Sequence, residues 1–303
     1  MRRKKMYSMY VILAGILWGG IAIFIRELNA MGLSSMECVA VRVGFTACLL
    51  GIYILGTDRK KFYIHIKDIK YFLGTGICSI MLFSFCYFAC IEEVGGAAIP
   101  ALLLYTAPIF VMLMSAVFFQ EKITRQKVVA LLMTLVGLGF VTEAFTGNMN
   151  ITVLAFLLGI GSGIGYALYS IFGKCLVGKY HTITITFYTF VVTSVVAIPI
   201  SGITKQVNVL FSGKGVVVGV LLAFLCTLLP YLLYTAGLEK LEAGKAAILA
   251  TVEPFTATIV GLVIFREQFT ISKSVGMLCI LAGIVYLNFG KENRNLQNIK
   301  QSS

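Results

Sequence analysis

The chain has 303 residues, of which 59% are hydrophobic and 13% are charged. Soluble domains carry about 25% charged residues, so this composition excludes an ordinary soluble enzyme or binding domain. The net charge of +12 would suit a nucleic-acid partner, but the basic residues lie in short segments between long apolar runs. We therefore expect a functional site inside the lipid bilayer and no nucleic-acid partner.

Long charge-free runs define the predicted elements. Asp, Glu, Lys and Arg are absent from six runs: 7–25, 71–91, 94–120, 144–173, 182–204 and 215–238. About 20 apolar residues span the hydrocarbon core as a helix, and lipid offers an unpaired backbone no partner. These runs also lack the alternation of a membrane β-barrel. The sequence predicts ten transmembrane helices: 7–28, 34–55, 69–91, 95–119, 126–143, 151–173, 183–203, 215–237, 245–265 and 273–290.

The basic residues predict the orientation of these helices. With the N-terminus placed in the cytoplasm, 19 Lys and Arg fall on the cytoplasmic side and 5 on the other, and Arg42 lies within a span. Cytoplasmic loops are enriched in Lys and Arg, so both termini are expected in the cytoplasm. The sequence thus predicts a multi-pass protein of the cell membrane (the plasma or inner membrane).

The chain repeats itself at an offset of 146 residues. Matched residues under this offset are Pro108 and Pro254, Phe119 and Phe265, Glu121 and Glu267, Thr124 and Thr270, Lys127 and Lys273, and Gly137 and Gly283. Near the start of each half the offset is 148, which matches Trp18-Gly19 with Tyr166-Ala167 and Arg26 with Lys174. Five spans per half is an odd number, so the second half is inserted in the opposite sense. The expected fold is all-α and integral to the membrane, with ten transmembrane helices in two inverted five-helix repeats, 1–145 and 146–303.

Several of these residues together resemble the EamA-type permeases of the drug/metabolite transporter superfamily. The resemblance covers about residues 7–290 and rests on Trp18-Gly19, Arg42, Tyr105 to Pro108 (Tyr-Thr-Ala-Pro), Glu253-Pro254 and the acidic residues after helices 4 and 9. It implies a ten-helix carrier, commonly an exporter of amino acids, other metabolites or drugs, without fixing the substrate. The second half departs from the pattern, because Tyr166-Ala167 replaces its Trp-Gly pair.

Two prolines and one carboxylate stand near the centres of spans. Pro108 and Pro254 each remove a helical hydrogen bond, which frees the carbonyls of Leu104 and Ala250 for a kink at a central cavity or for packing alone. Glu253 is the one carboxylate near mid-span, where a charge is costly. It either couples transport to protons or meets a cationic solute, or it is protonated and bonded to the backbone.

Arg42 and a set of mid-span aromatic residues complete the candidate site. Arg42 contacts a solute carboxylate, locks neighbouring helix ends or extends towards a lipid headgroup. Mid-span Tyr hydroxyls need polar partners, which a wet cavity with aromatic walls could supply. The aromatic candidates are Trp18, Tyr87, Tyr105, Tyr166, Tyr169, Tyr231 and Tyr234. Glycines at every fourth position, such as Gly159 with Gly163 and Gly15 with Gly19, predict close helix packing.

No sequence signal indicates a cofactor, a metal site or catalysis. A P-loop, an HExxH motif and a TVGYG filter are absent from the sequence, and its two histidines lie in loops. We therefore expect a secondary transporter, more an exporter than an importer, that moves a small organic solute by alternating access. Its partners would be that solute, membrane lipids and protons as the candidate coupling ion. The alternatives are a flippase for lipid-linked substrates and, in a different class, a non-transporting receptor or an intramembrane enzyme.

Overall fold

The computed structural model describes residues 2–144 and 151–289, and this part of the chain is helical without a β-strand. Nine of its helices are long and apolar enough to cross a membrane. They are α1 (Lys4–Ala30), α2 (Ser35–Thr57), α3 (Ile66–Val94), α4 (Ala98–Phe119), α6 (Val153–Leu176), α7 (Thr182–Ser201), α8 (Gly213–Lys240), α9 (Ala243–Val263) and α10 (Ile271–Asn288). Between α4 and α6 lies α5 (Arg125–Val141), a helix of 17 residues.

Each predicted span coincides with one of these helices to within a few residues. The predicted end of the last span at residue 290 and the predicted boundary between residues 145 and 146 lie outside the described residues. A short 3-10 turn, Arg59–Phe62, lies between α2 and α3, and a second 3-10 turn, Ile66–Asp68, begins α3. The agreement follows from the length of the charge-free runs, which only a helix can accommodate in lipid.

Side-chain caps fix where several helices begin. Ser34 and Glu37 form a reciprocal capping box at the start of α2, with the Ser34 N–H donating to Glu37 Oε2 at 2.7 Å. Thr124 Oγ1 accepts the N–H of Lys127 at the start of α5. The Glu37 side chain therefore caps α2. It lies five residues before Arg42, and ion pairs within a helix favour spacings of three or four.

The ends of α4 and α9 have the same backbone turn at the same repeat position. Gln120 has a φ of 56° and Arg266 a φ of 54°, both in the left-handed region. The next amide closes the turn in each case: Glu121 N–H donates to Ser115 O at 3.2 Å, and Glu267 N–H donates to Gly261 O at 3.1 Å. Two sequences that share few residues thus form one local structure at an interval of 146 residues.

The two helices that contain the repeat-matched prolines Pro108 and Pro254 are interrupted at matched positions. α4 divides into Ala98–Leu104 and Ala107–Phe119, and α9 divides into Ala243–Ala250 and Val252–Val263. Proline cannot donate to the carbonyl four residues earlier, so the helical ladder opens just before it. Segments of π-helix at Gly74–Met81 in α3 and Phe224–Leu228 in α8 add a second pair of interruptions. Such segments are frequent at functional sites.

Glycines bring neighbouring helices into close contact, as the sequence predicts. A β-carbon at Gly15 would lie 2.8 Å from Ala250 O, and one at Gly163 would lie 3.1 Å from Leu103 O. α1 thereby packs on α9, and α6 packs on α4. Each of these contacts joins an element before residue 145 to one after residue 150, so the glycines line the seam between the two halves of the chain.

Candidate substrate site

Glu253 lies at this seam, just after the interruption of α9. The hydroxyl of Tyr166 on α6 donates to Glu253 Oε2 at 3.3 Å, and the hydroxyl of Tyr105 at the break of α4 interacts with the same carboxylate. Part of the Glu253 side chain remains accessible. The carboxylate is therefore held by tyrosines from two other helices, although the residue as a whole is only partly buried.

Arg42 is buried on α2, where only 5% of its surface is exposed. Its guanidinium interacts with the hydroxyl of Tyr231 and electrostatically with Glu253. Within the described residues no ion pair of 4 Å or less joins Arg42 to Glu253. Arg42 and Glu253 therefore interact electrostatically without a direct ion pair, and each has tyrosine partners of its own.

Trp18 lies at the centre of an aromatic cluster. Its ring centroid is 5.2 Å from that of Tyr231, 5.4 Å from that of Tyr234 and 6.3 Å from that of Tyr166. Tyr169 packs edge-to-face on Tyr231 at 4.9 Å. These distances are those of favourable aromatic pairs. Tyr166 is the counterpart of Trp18 in the second half, and the two rings are thus in contact.

The deeper tyrosine hydroxyls have protein partners. Tyr169 Oη lies 2.6 Å from Thr235 Oγ1, and Tyr234 Oη lies 2.7 Å from Ser170 Oγ. Both pairs are buried and join α6 to α8. A wet cavity is therefore not required to satisfy these two hydroxyls, which instead fix the floor of the cluster. Tyr87 lies apart from this floor, with its ring 5.9 Å from that of Phe83.

The aromatic cluster is nearly closed in this conformation. Eight residues enclose a cavity of about 10 Å³: Trp18, Ser79, Phe83, Tyr166, Tyr169, Ser170, Tyr231 and Tyr234. That volume is close to the minimum that holds one water molecule. An organic solute could enter this cluster only if the surrounding helices moved apart.

The two prolines lie beside the site, and neighbouring helices cover the carbonyls that they free. Ala250 O lies against Gly15, and Leu104 O lies 3.3 Å from the position of a β-carbon on Gly163. Pro108 and Pro254 are both buried. The freed carbonyls therefore face glycine surfaces at the seam, so in this conformation packing accounts for them without a water-filled cavity.

Sequence reasoning missed Ser170, Thr235 and Phe83. Small hydroxyl residues within an apolar run bond readily to their own helix, so their types gave no signal of a partner. The sequence could have indicated Ser170 and Thr235, because each directly follows a candidate tyrosine, Tyr169 or Tyr234. Only the folded chain shows that Tyr169 bonds to Thr235 and that Ser170 bonds to Tyr234 across α6 and α8.

A second concave region lies at the end of α2 and shares no lining residue with the aromatic cluster. It has a volume of about 480 Å³ and is lined by Asp58, Lys60, Lys61, Tyr63, His65, Asp68, Lys179, Tyr180, His181 and Thr184. Tyr180 Oη donates to Asp68 Oδ2 at 2.8 Å and accepts the N–H of His65 at 3.0 Å. The hydrogen bond to Asp68 raises the pKa of the Lys179 ammonium. These contacts hold the segment between α2 and α3 against the start of α7.

Comparison with known proteins identifies the class of this fold and site. The model of the EamA-like transporter family matches residues 5–142 and again residues 153–289. The chain therefore belongs to the EamA-like transporter family and is a transmembrane transporter, as the sequence predicts. The double match corresponds to the internal similarity read from the sequence.

Named relatives agree with this assignment. An uncharacterized transporter of Archaeoglobus fulgidus is 26% identical over 282 residues, which cover 91% of this chain and 96% of the relative. The uncharacterized inner membrane transporter YicL of Salmonella typhimurium is 23% identical, with coverage of 96% and 97%. A probable amino-acid metabolite efflux pump of the same organism is 23% identical over 72% of this chain and 76% of its own length. A solved structure with 15% identity superposes with a TM-score of 0.77 over 99% of each chain, and so shares the fold.

Proposed function

We propose that this protein is a secondary-active exporter of a small organic solute that carries both a cationic and an anionic group, such as an amino acid or a related metabolite. The observation that carries this proposal is the pair Arg42 and Glu253. Both lie at the seam of the two halves, and each has tyrosine partners, Tyr231 for Arg42 and Tyr105 with Tyr166 for Glu253. The solute would bind there and be exposed to each side of the membrane in turn.

Charge compensation favours a solute with two charges. An ionised group within the membrane is costly unless it is paired or faces water. A solute ammonium beside Glu253 and a solute carboxylate beside Arg42 would compensate both groups at once. The aromatic faces of Trp18 and Tyr231 would cover the apolar part of such a solute and add cation–π attraction for its ammonium. One relative is named a probable amino-acid metabolite efflux pump, which supports the same class and the outward direction.

The proposed mechanism requires ten crossings in two inverted halves, with residues 1–145 and 146–303 as the two repeats. α5 has 17 residues, about 26 Å at 1.5 Å per residue, which reaches across a thin hydrocarbon core. Glu121 follows the end of α4 and contacts the start of α9, so these matched helices run in opposite directions. Ten crossings return both termini to one side, and the basic loops assign that side to the cytoplasm.

Glu253 is also the proposed coupling group for protons. Proton binding would cancel its charge, and the loss of its charge would weaken the attraction for a solute ammonium. Solute and proton would then compete for one carboxylate, which is the simplest basis for exchange of an outgoing solute against incoming protons. Residues at this carboxylate, Tyr105 and Tyr166, would set the proton affinity through their hydroxyls.

The test is solute flux in proteoliposomes with and without a pH gradient, across a panel of amino acids, amines and carboxylates. We expect the pH gradient to accelerate wild-type transport of solutes that carry both charges. Glu253→Gln should lower that transport at least about tenfold, because a charge-assisted hydrogen bond contributes about 1.5 to 3 kcal/mol. Glu27→Gln is the matched control, since Glu27 pairs with Lys214 where both side chains are more than half exposed.

Two outcomes would contradict the proposal. Equal pH-driven transport by wild type and Glu253→Gln would remove Glu253 from coupling. Preference for a singly charged or uncharged solute in every condition would refute the two-charge site. Epitope tags at both termini, probed from each side of the membrane, test the even number of crossings independently.

A further inference from the structure

At one face of the protein, a carboxylate from the first half holds the start of a helix in the second half. Glu121 Oε1 accepts the N–H of Ala243 at 2.8 Å, and Glu121 Oε2 accepts the N–H of Gly244 at 3.2 Å. The first amides of a helix have no partner within the helix, and the positive end of its dipole favours a carboxylate. We call this side of the protein the Glu121 face.

Two lysines reinforce the closed contact at the Glu121 face. Lys127 Nζ lies 2.5 Å from Glu242 Oε2, just before α9 begins. Lys174 Nζ donates to Leu238 O at 2.7 Å and to Leu241 O at 2.5 Å, where α8 ends. Ala243 and Gly244 are buried as a result. The gap between the halves is therefore shut at this face by Glu121 and Lys127 from the first half, while Lys174 holds the end of α8 to α6 within the second half.

The repeat supplies the same parts at the opposite face, but there they are apart. Glu267 is the counterpart of Glu121, and Ala97 and Ala98 are the counterparts of Ala243 and Gly244 at the offset of 146. Ala97 and Ala98 are exposed at the start of α4. Glu267 instead pairs with Arg26 and Lys273, each at 3.4 Å. We call this side the Glu267 face.

The partners of Glu267 match those of Glu121 in sequence and differ in contact. Lys273 is the counterpart of Lys127, and Arg26 is the counterpart of Lys174. The Arg26 guanidinium lies 3.7 Å from the centroid of the Phe265 ring and remains half exposed. The ion pair of the exposed Arg26 is weak, whereas the Lys273 side chain is only 15% exposed. Glu267 is thus held by two residues whose counterparts in the other half lie at the Glu121 face.

We infer that Glu121 and Glu267 are reciprocal positioning residues of the transport cycle. Glu121 caps α9 while the Glu121 face is closed, and Glu267 caps α4 at Ala97 and Ala98 when the Glu267 face closes. In that second conformation Glu121 releases α9, and Arg26 moves to the carbonyls at the end of α3, as Lys174 does at the end of α8. The inference rests on the alternating access proposed above and assigns the residues that stabilise each of its two conformations.

The exchange is balanced because each conformation contains one carboxylate on a helix start and one paired only with basic side chains. Loss of one cap is compensated by formation of the other, so neither conformation is trapped. A ligand needs only a modest difference in affinity to shift such an equilibrium. A structural cap without a role in the cycle would lack this reciprocity.

Hydrogen exchange of the wild-type chain and its variants in lipid nanodiscs tests the inference. Glu121→Gln should speed amide exchange at Ala243 and Gly244 about fivefold, the effect of a lost helix cap of about 1 kcal/mol. The same variant should slow exchange at Ala97 and Ala98, because the population shifts towards closure of the Glu267 face. Glu267→Gln should slow exchange at Ala243 and Gly244.

Glu239→Gln is the matched control, because Glu239 is exposed beside Lys240 near the same face. It should alter neither helix start. Faster exchange at α9 without slower exchange at α4 in Glu121→Gln would overturn the reciprocal role and leave Glu121 a structural cap. Flux measurements on the Glu253 variants are separate, so reciprocal exchange in a chain that moves no solute would refute the proposed function while supporting the two positioning residues.

Discussion

Gly19 provides a stringent test of the close contact between α1 and α9 that positions the candidate site. A β-carbon at this position would lie 2.6 Å from Thr256 Cβ, 2.8 Å from Glu253 O and 2.9 Å from Ala257 N. Ordinary van der Waals contact begins at 3.4 Å. The distances from the new β-carbon in Gly19→Ala would therefore be too short by 0.5 Å (3.4 minus 2.9) to 0.8 Å (3.4 minus 2.6). Two of the three atoms belong to the backbone of α9, so side-chain rotation cannot relieve the overlap.

The helices must therefore separate, and over-packing of this kind costs about 1 to 3 kcal/mol. Gly44→Ala is the control, since a β-carbon there meets only Ile198 Cδ1 at 3.8 Å. Gly19 ends the helical segment Arg2–Gly19, whereas Gly44 lies inside α2. The gain in helix propensity from alanine is at most about 1 kcal/mol at either position, so a larger difference between the variants reports packing. We expect Gly19→Ala to unfold at lower denaturant than Gly44→Ala in mixed micelles, and to transport more slowly because Trp18 moves away from Glu253. Equal unfolding midpoints for the two variants would refute the close contact.

Two further predictions concern hydrogen bonds between elements. A double-mutant cycle of Tyr169→Phe and Thr235→Val should give a coupling energy of about 0.6 to 1.7 kcal/mol, the range measured for buried hydrogen bonds between membrane helices. Strictly additive effects on unfolding would show that these hydroxyls do not interact. Tyr180→Phe removes the hydroxyl that bonds Asp68 and the His65 amide, so trypsin should cleave at Lys60 faster than in wild type while solute transport continues. Unchanged cleavage would mean that other contacts order this segment.

The sequence was sufficient to predict the positions of the helices, for a physical reason. The charge-free runs are long, and the bilayer permits few backbone conformations, so length and polarity determine the elements. The interruptions of α4 and α9 also followed from Pro108 and Pro254. The glycine surfaces of α1 and α6 were predictable because residues at every fourth position share a helical face.

Sequence alone could not show how the candidate site is assembled. The bond from Tyr166 to Glu253 and the interaction of Arg42 with Tyr231 join residues far apart in sequence, and nothing in their local pattern identifies the partner. The hydroxyl partners of Tyr169 and Tyr234 were missed for the same reason. Sequence reasoning assigned these hydroxyls to a wet cavity, whereas Thr235 and Ser170 satisfy them in the folded chain.

The contact between α5 and α10 joins the two halves of the chain. A β-carbon on Gly137 would lie 2.7 Å from Gly276 O, and one on Gly283 would lie 3.0 Å from Ala130 O. The offset of 146 converts the first pair into the second, so this surface is self-complementary, as in the isologous interface of a homodimer. The two halves of this chain therefore meet at this surface in the way that two copies of one subunit meet in a homodimer.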